Sequence, residues 1–200
     1  MKKTIVPIAV GFLLTACTTL PTKQKALNQH LDWQIRQAQL THIKQWQLQG
    51  AVAVKTPQQS QAATFIWRQQ WQRNRYQIHL FGPLGIGHVI LISNPNDIVI
   101  SEKGKRYQNR DAETLMQKIL GWNVPVSNLY FWIRGLPAPY VKSKITFDAY
   151  HHIVHLQQQG WHIIYQCYTA ATGSIDLPSI IILQREDLNI KFVISRWKLK

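Results

Sequence analysis

From residue 46 onward the chain alternates. Trp46, Leu48, Gly50, Val52 and Val54 fall at every second position, with Gln47, Gln49 and Lys55 among the residues between them. A period of two is that of a strand with one face on a core and the other in water. Residues 62–68 carry Phe65, Ile66 and Trp67, and 75–81 alternate Tyr76, Ile78 and Leu80 with Arg75, Gln77 and His79. The polar run 69–74 reads as the turn between them. Further strands are predicted at 85–92, 98–101 and 105–107, separated by Asn94-Pro95-Asn96 and Lys103-Gly104. After Pro137 and Pro139 the alternation resumes at 144–148, 150–157 and 161–168, with a turn at Gln159-Gly160. A closing hairpin is predicted from 179–185 and 188–197 around Glu186-Asp187.

Three segments follow a helical period instead. Leu27, Leu31, Ile35, Ala38 and His42 recur at three or four and form one stripe, expected to pack on a sheet. Asp111 is placed to cap a helix running through Leu120, with Leu115, Met116, Ile119 and Leu120 on its apolar side and Gly121 at its end. A shorter helix follows Pro125, with Ser127 as its expected cap and Gly135 as terminator; Leu129, Tyr130, Trp132 and Ile133 make it apolar almost all round. The predicted fold class is therefore mainly β (α+β): a curled antiparallel sheet of about 10–11 strands with about three helices, in one domain.

The first residues belong to neither pattern. Lys2 and Lys3 precede an uncharged, mostly apolar run from Ile5 to Leu14, shorter than the roughly 20 residues of a membrane-spanning helix. Leu14-Thr15-Ala16-Cys17 resembles the lipobox of bacterial lipoproteins, whose cysteine is lipidated and becomes the first residue of the mature chain. The competing reading is an ordinary secretory signal with a chance cysteine. The expected organisation is a cleaved lipoprotein signal over 1–16, a lipidated tether over 17–25 and a single domain over 26–200. Thr18, rather than Asp, after the cysteine points by the same resemblance to the outer membrane.

Charge and composition then narrow the function. A formal charge of +14 would suit nucleic acid, but export argues against it, and the basic residues are scattered singly. Attraction to anionic membrane groups, to an acidic protein partner, or simple solubility all fit. Cys17 and Cys167 are the two cysteines, so an acylated Cys17 leaves no internal disulfide, and Cys167 is expected to be buried in its alternating segment. His151, His152 and His155 are the most ligand-like cluster, yet on a strand His152 would point away from the other two, and strand-filling is the simpler reading. Ser195-x-x-Lys198 lies in the last strand rather than opening a helix. No catalytic residue, metal site or cofactor is expected.

Two features invite lipid. The chain has eight tryptophans, which either pack the core or wall a pocket for a greasy ligand. Phe81-Gly82-Pro83-Leu84-Gly85-Ile86 sets an apolar Leu84 where a turn usually has polar residues. Either Leu84 folds back onto the core, or its burial in lipid or a partner favours contact by about 1.5–3 kcal/mol.

The lipobox at Cys17, Trp46-x-x-x-Gly50, Phe65-x-Trp67, Pro83-Leu84-Gly85, Lys103-Gly104-x-x-Tyr107 and Trp132-Ile133-x-Gly135-Leu136-Pro137 with Pro139 occur in an order that resembles the LolB family. The resemblance spans the whole chain, with Gly82 in a place where the family often has Asn. It implies an incomplete barrel lidded by helices around an apolar cavity for acyl chains. It implies a non-enzymatic, lipid-anchored outer-membrane receptor facing the periplasm. This receptor takes acylated lipoprotein cargo from a LolA-like periplasmic carrier and inserts it into outer-membrane lipid, the loop Pro83, Leu84 and Gly85 aiding insertion. Leu80, Leu115, Ile119, Phe131 and Trp132 are the expected cavity residues, and a monomer is expected. The alternatives are a structural envelope lipoprotein, a carrier of another amphiphile, or an acyl hydrolase with a Ser or Cys nucleophile beside a base.

Overall fold

The computed structural model describes residues 25–83, 87–171 and 175–200; Cys17, Leu84 and Gly85 lie outside the described residues. A helix, Trp33–His42 (α1), precedes a six-strand meander: Trp46–Lys55 (β1), Ser60–Gln69 (β2), Tyr76–Phe81 (β3), His88–Ser93 (β4), Ile98–Glu102 (β5) and Lys105–Asn109 (β6). Helices Ala112–Leu120 (α2) and Val126–Trp132 (α3) follow. A second meander then runs through Lys144–Phe147 (β7), Ile153–Gln158 (β8), Trp161–Ala171 (β9), Ile175–Arg185 (β10) and Leu188–Leu199 (β11).

The strand order, β6-β5-β4-β3-β2-β1-β11-β10-β9-β8-β7, makes one sheet of eleven strands whose edges, β6 and β7, do not pair with each other. The two meanders meet at the centre, where β1 lies antiparallel to β11. The chain must therefore cross from one edge of the sheet to the other between β6 and β7, and α2 and α3 make that crossing. They lie on the concave side. Tyr130 stacks on Trp46 of β1 at 6.3 Å, and Trp132 Nε1 donates to Gln158 Oε1 of β8 at 2.9 Å. An incomplete antiparallel barrel lidded by helices is the architecture expected from the sequence.

Local chemistry explains much of this. At the β1–β11 junction the register shifts between Gln49 and Gly50, and a Cβ on Gly50 would stand 2.1 Å from the Val193 carbonyl oxygen. No side chain fits there. Helix α2 has the expected caps: the Asp111 carboxylate accepts from the Glu113 N–H at 2.9 Å, and Gly121 takes a left-handed φ of 78°.

Four local expectations fail. The buried stripe of α1 is Arg36 and Leu40, with Trp33 half-buried, while Ile35, Ala38 and His42 face solvent. The inner position is held by a cation whose Nη2 donates to the carbonyls of Gln29 and Tyr150, both at 3.0 Å, which apolar periodicity cannot reveal. The cap position of α3 is Pro125, and Ser127 sits inside the helix. Residues 150–152 form a turn, so β8 begins only at Ile153. Cys167 is exposed: Trp161, Ile163 and Tyr165 point inward, but the register shifts around Ile180, opposite Cys167, and reverses the alternation beyond it.

Candidate functional site

The first meander and the two crossing helices enclose an apolar cleft. Val52 of β1, Phe65 and Trp67 of β2, Ile78 and Leu80 of β3, Val89 and Leu91 of β4, Ile100 of β5 and, from the adjoining β11, Phe192 line it from the sheet. Met116 and Leu120 of α2, Trp122 and Val124 of the connection and Val126 and Leu129 of α3 roof it. The strand residues are alternate positions of consecutive strands, so one face of the meander forms the wall. Every lining side chain is apolar or aromatic.

The enclosed part has a volume of about 50 Å³, room for roughly four waters at about 10–15 Å³ each and far too little for an acyl chain. It continues outward past Val52, Leu80, Val89, Leu120 and Trp122 into an open cleft of about 390 Å³. The rim of that outer part carries Ala62, Ala63, Gly82, Pro83 and Gly87. The mouth thus opens at the base of the β3–β4 turn, where the Gly82 N–H donates to the Gly87 carbonyl at 2.9 Å. Pro83 is exposed there.

Of the cavity residues expected from sequence, Leu80 lines both parts of the cleft. The other four lie elsewhere. Leu115 and Ile119 are each one position, about 100° of helix, away from Met116 and Leu120, which do line it. Phe131 packs edge-on against Tyr130 at 5.0 Å and lies within 5.4 Å of the Arg73 guanidinium. Trp132 is fully buried beside Trp161 at 6.0 Å on the far side of α3. Of the lining residues that sequence reading missed, those on β1 to β5 are inward alternate positions and Met116 and Leu120 lie on the apolar side of α2, whereas Trp122 and Val124 sit in a connection with no period to mark them.

The second meander encloses a different interior. Arg134 is buried; its Nε donates to the Tyr130 carbonyl at 3.1 Å and its Nη1 to the carbonyls of Leu40 and Ile43, tying α3 to the end of α1. Burial brings its guanidinium down to about 10. Near the start of β10, Asp176 accepts from the N–H groups of Leu27 (2.7 Å) and Asn28 (2.9 Å) and from His152 Nε2 (3.1 Å). His152 Nδ1 reaches Asp148 at 3.0 Å, and its ring stacks on Tyr168 at 4.3 Å. Against a desolvation that would raise it, hydrogen bonds from the His152 backbone and ring and from the Tyr150 N–H hold Asp148 below the usual carboxylate range. These groups satisfy one another.

The remaining candidates for chemistry are also absorbed. His151 bonds the Leu31 carbonyl at 2.8 Å, His152 is in the cluster just described, and His155 is exposed on β8. Among the described residues no group of three or more His, Cys, Asp or Glu is placed to hold a metal ion. Ser195 Oγ donates to the Gln49 carbonyl at 3.1 Å on the outer face.

Residues 44–197 match the family described as outer membrane lipoprotein LolB. The chain is 37% identical to the outer-membrane lipoprotein LolB of Ectopseudomonas mendocina over 93% of its own length and 91% of that protein's. It is 36% identical to that of Coxiella burnetii over 94% and 89%. Among solved structures, a LolA superfamily protein from Nitrosomonas europaea superposes with a TM-score of 0.53 at 9% identity, covering 85% of this chain and 94% of that one. A DUF1329 family protein from Desulfovibrio piger gives 0.57 at 6% identity, covering 84% and 91%. At these identities the structural likeness concerns the fold.

Proposed function

The chain belongs to the LolB family of outer-membrane lipoproteins, and from that premise we propose that it receives lipoproteins from a LolA-like periplasmic carrier and inserts them into the outer membrane. In this reading Cys17 carries the protein's own lipid, the 17–25 segment tethers the domain to the membrane, and the apolar cleft takes the acyl chains of the cargo. The observation that carries it is a cleft whose inner part is lined wholly by apolar side chains and whose mainly apolar outer part opens at the base of the loop bearing Pro83, Leu84 and Gly85. Each buried methylene is worth about 0.8 kcal/mol, so acyl chains need cover in the aqueous periplasm. The cleft is nearly closed, so loading moves the roof. Met116, with its unbranched side chain, and Leu120 are the residues suited to give way. No step needs a nucleophile, because the chains move between apolar environments down a gradient of affinity from carrier to receptor to bilayer.

The test is to mix the purified mature chain with a carrier loaded with a lipoprotein and follow the cargo. Transfer is expected, and with liposomes present the cargo ends in the bilayer. No transfer by a folded receptor contradicts the reading. Leu84→Glu, at the apolar tip expected to enter lipid, leaves uptake within about twofold and lowers delivery to liposomes at least tenfold; normal delivery would remove Leu84 from the mechanism.

A further inference from the structure

A lipoprotein is more than its acyl chains. The chains are attached to the amino and thiol groups of its first cysteine, so when they lie in the cleft the cargo polypeptide must leave from the mouth. There its backbone N–H and C=O groups need partners or water. The mouth has two sides. On the loop side the rim is Ala62, Ala63, Pro83 and Gly87, with little to offer a peptide. On the other side stands Trp122, whose Nε1 donates to Gln61 Oε1 at 3.4 Å.

Beyond Trp122 the surface changes character. The same tryptophan borders a second groove of about 240 Å³, between the β1–β2 turn, the end of α2 and the β10–β11 turn, lined by Gln58, Gln117 and Asn123 with Thr56 and Pro57. It shares Thr56, Pro57 and residues 185–188 with a wider groove of about 670 Å³ that runs on past Gln184 and Asn189. Side-chain amides therefore line a continuous path away from the mouth. Asn123 Nδ2 already donates to Gln117 Oε1 and Gln117 Nε2 to the Gly121 carbonyl, both at 3.2 Å, but each amide has two donor hydrogens and two acceptor lone pairs, so capacity remains to pair with backbone regardless of sequence. Charges on this path are mixed, Lys55 and Arg185 against Glu186 and Asp187, and select for neither sign.

We propose that this amide-lined groove, entered over Trp122, binds the first residues of the cargo polypeptide in extended form while the acyl chains occupy the cleft. The inference rests on the acyl-chain reading of the cleft. It divides the mouth in two: peptide leaves over Trp122, and the loop side stays free for the membrane. Because the amides pair with backbone, the groove accepts the differing N-terminal sequences of different lipoproteins.

The test uses two probes on the purified chain: triacylated cysteine amide, and the same triacylated cysteine extended by Ser-Lys-Lys-Lys-Lys. In the double variant Gln58→Trp, Asn189→Trp, which fills the groove, the peptide-bearing probe is expected to bind about tenfold more weakly while the cysteine amide changes less than twofold. Equal losses for both probes, or no loss for either, overturn the groove. Failure of the unsubstituted chain to bind either probe overturns the acyl-chain reading and the groove with it. Independently of any variant, a photoreactive side chain at the second or third peptide position is expected to label Gln58, Gln117, Asn123 or Asn189. Labelling confined to the loop side or spread over the outer surface contradicts the proposal.

Discussion

The interior beneath β1–β5 and the interior beneath β7–β11 are made from the same alternating strands, and they solve opposite problems. Beneath the second meander, Arg134, His152 and Asp176 are bonded to backbone and to one another and the apolar side chains are fully enclosed, Leu183 and Ile181 of β10 at 0% exposure. Beneath the first, the buried polar groups Gln69 and Ser93 hold the turns at one end, donating to carbonyls within residues 70–75, while the inner cleft is walled by apolar side chains, a void of about 50 Å³ remains, and Leu80 and Val89 stay half-buried. The contrast teaches what each region is for. Hydrogen bonds have direction and hold one arrangement; apolar contacts have none, so a wall made only of them can part and reseal around a chain of methylenes. The polar half positions the sheet, α1 and α3, and the apolar half is left free to change.

The strongest way to break that comparison is at Asp176. Asp176→Ala strips the acceptor from Leu27, Asn28 and His152 together, and a buried group left unpaired costs about 1–3 kcal/mol. Urea unfolding is expected to show a loss of about 3–5 kcal/mol; a loss under 1 kcal/mol would mean that the cluster is not what holds this half together. Truncating one leucine on each side sharpens the contrast. Leu183→Ala removes an enclosed side chain and is expected to cost about 3–4 kcal/mol, whereas Leu80→Ala, beside a void it already lines, costs about 1–2 kcal/mol. Equal costs would make the cleft an ordinary core.

The smallest effect is in pH. His79, on the face of β3 opposite Ile78 and Leu80, is lowered by desolvation, by His88 at 3.0 Å and by Arg68. A depressed folded value means that the unfolded chain takes up protons first, so stability present above about 6.5 falls as pH drops below it. Asp148 is depressed as well, but from a carboxylate's range, so its contribution is lost only below about pH 4. His79→Gln is expected to flatten the stability profile between about pH 6.5 and 5, and Asp148→Asn to flatten it below about 4, each leaving the other window intact. Overlapping effects would show that the two halves are coupled.

How far the sequence speaks follows the same division. Strand count, the α2 caps and the turns at Gln159-Gly160 and Glu186-Asp187 are local, and local signals carried them. Two of the failures have nonlocal causes: a bulge opposite Ile180 turns Cys167 outward, and a buried Arg36 displaces the apolar stripe of α1. The cleft was legible only as a face. Alternation marks Ile78, Leu80, Val89 and Leu91 as inward, but whether an inward side chain meets another or meets a void depends on what lies across the barrel. Leu80, on a strand, lines the cleft, whereas Leu115, Ile119, Phe131 and Trp132, on helices, face away from it.

The most direct test of the central claim is to load the chain with a lipopeptide whose acyl chains carry a photoreactive group near their ends, irradiate, and locate the adducts by mass spectrometry. Adducts are expected on residues facing the cleft, with Leu80, Val89, Met116 and Leu120 foremost. Adducts on Ile163, Ile181 or Leu183 beneath the second meander, or spread over the outer surface, would contradict the account.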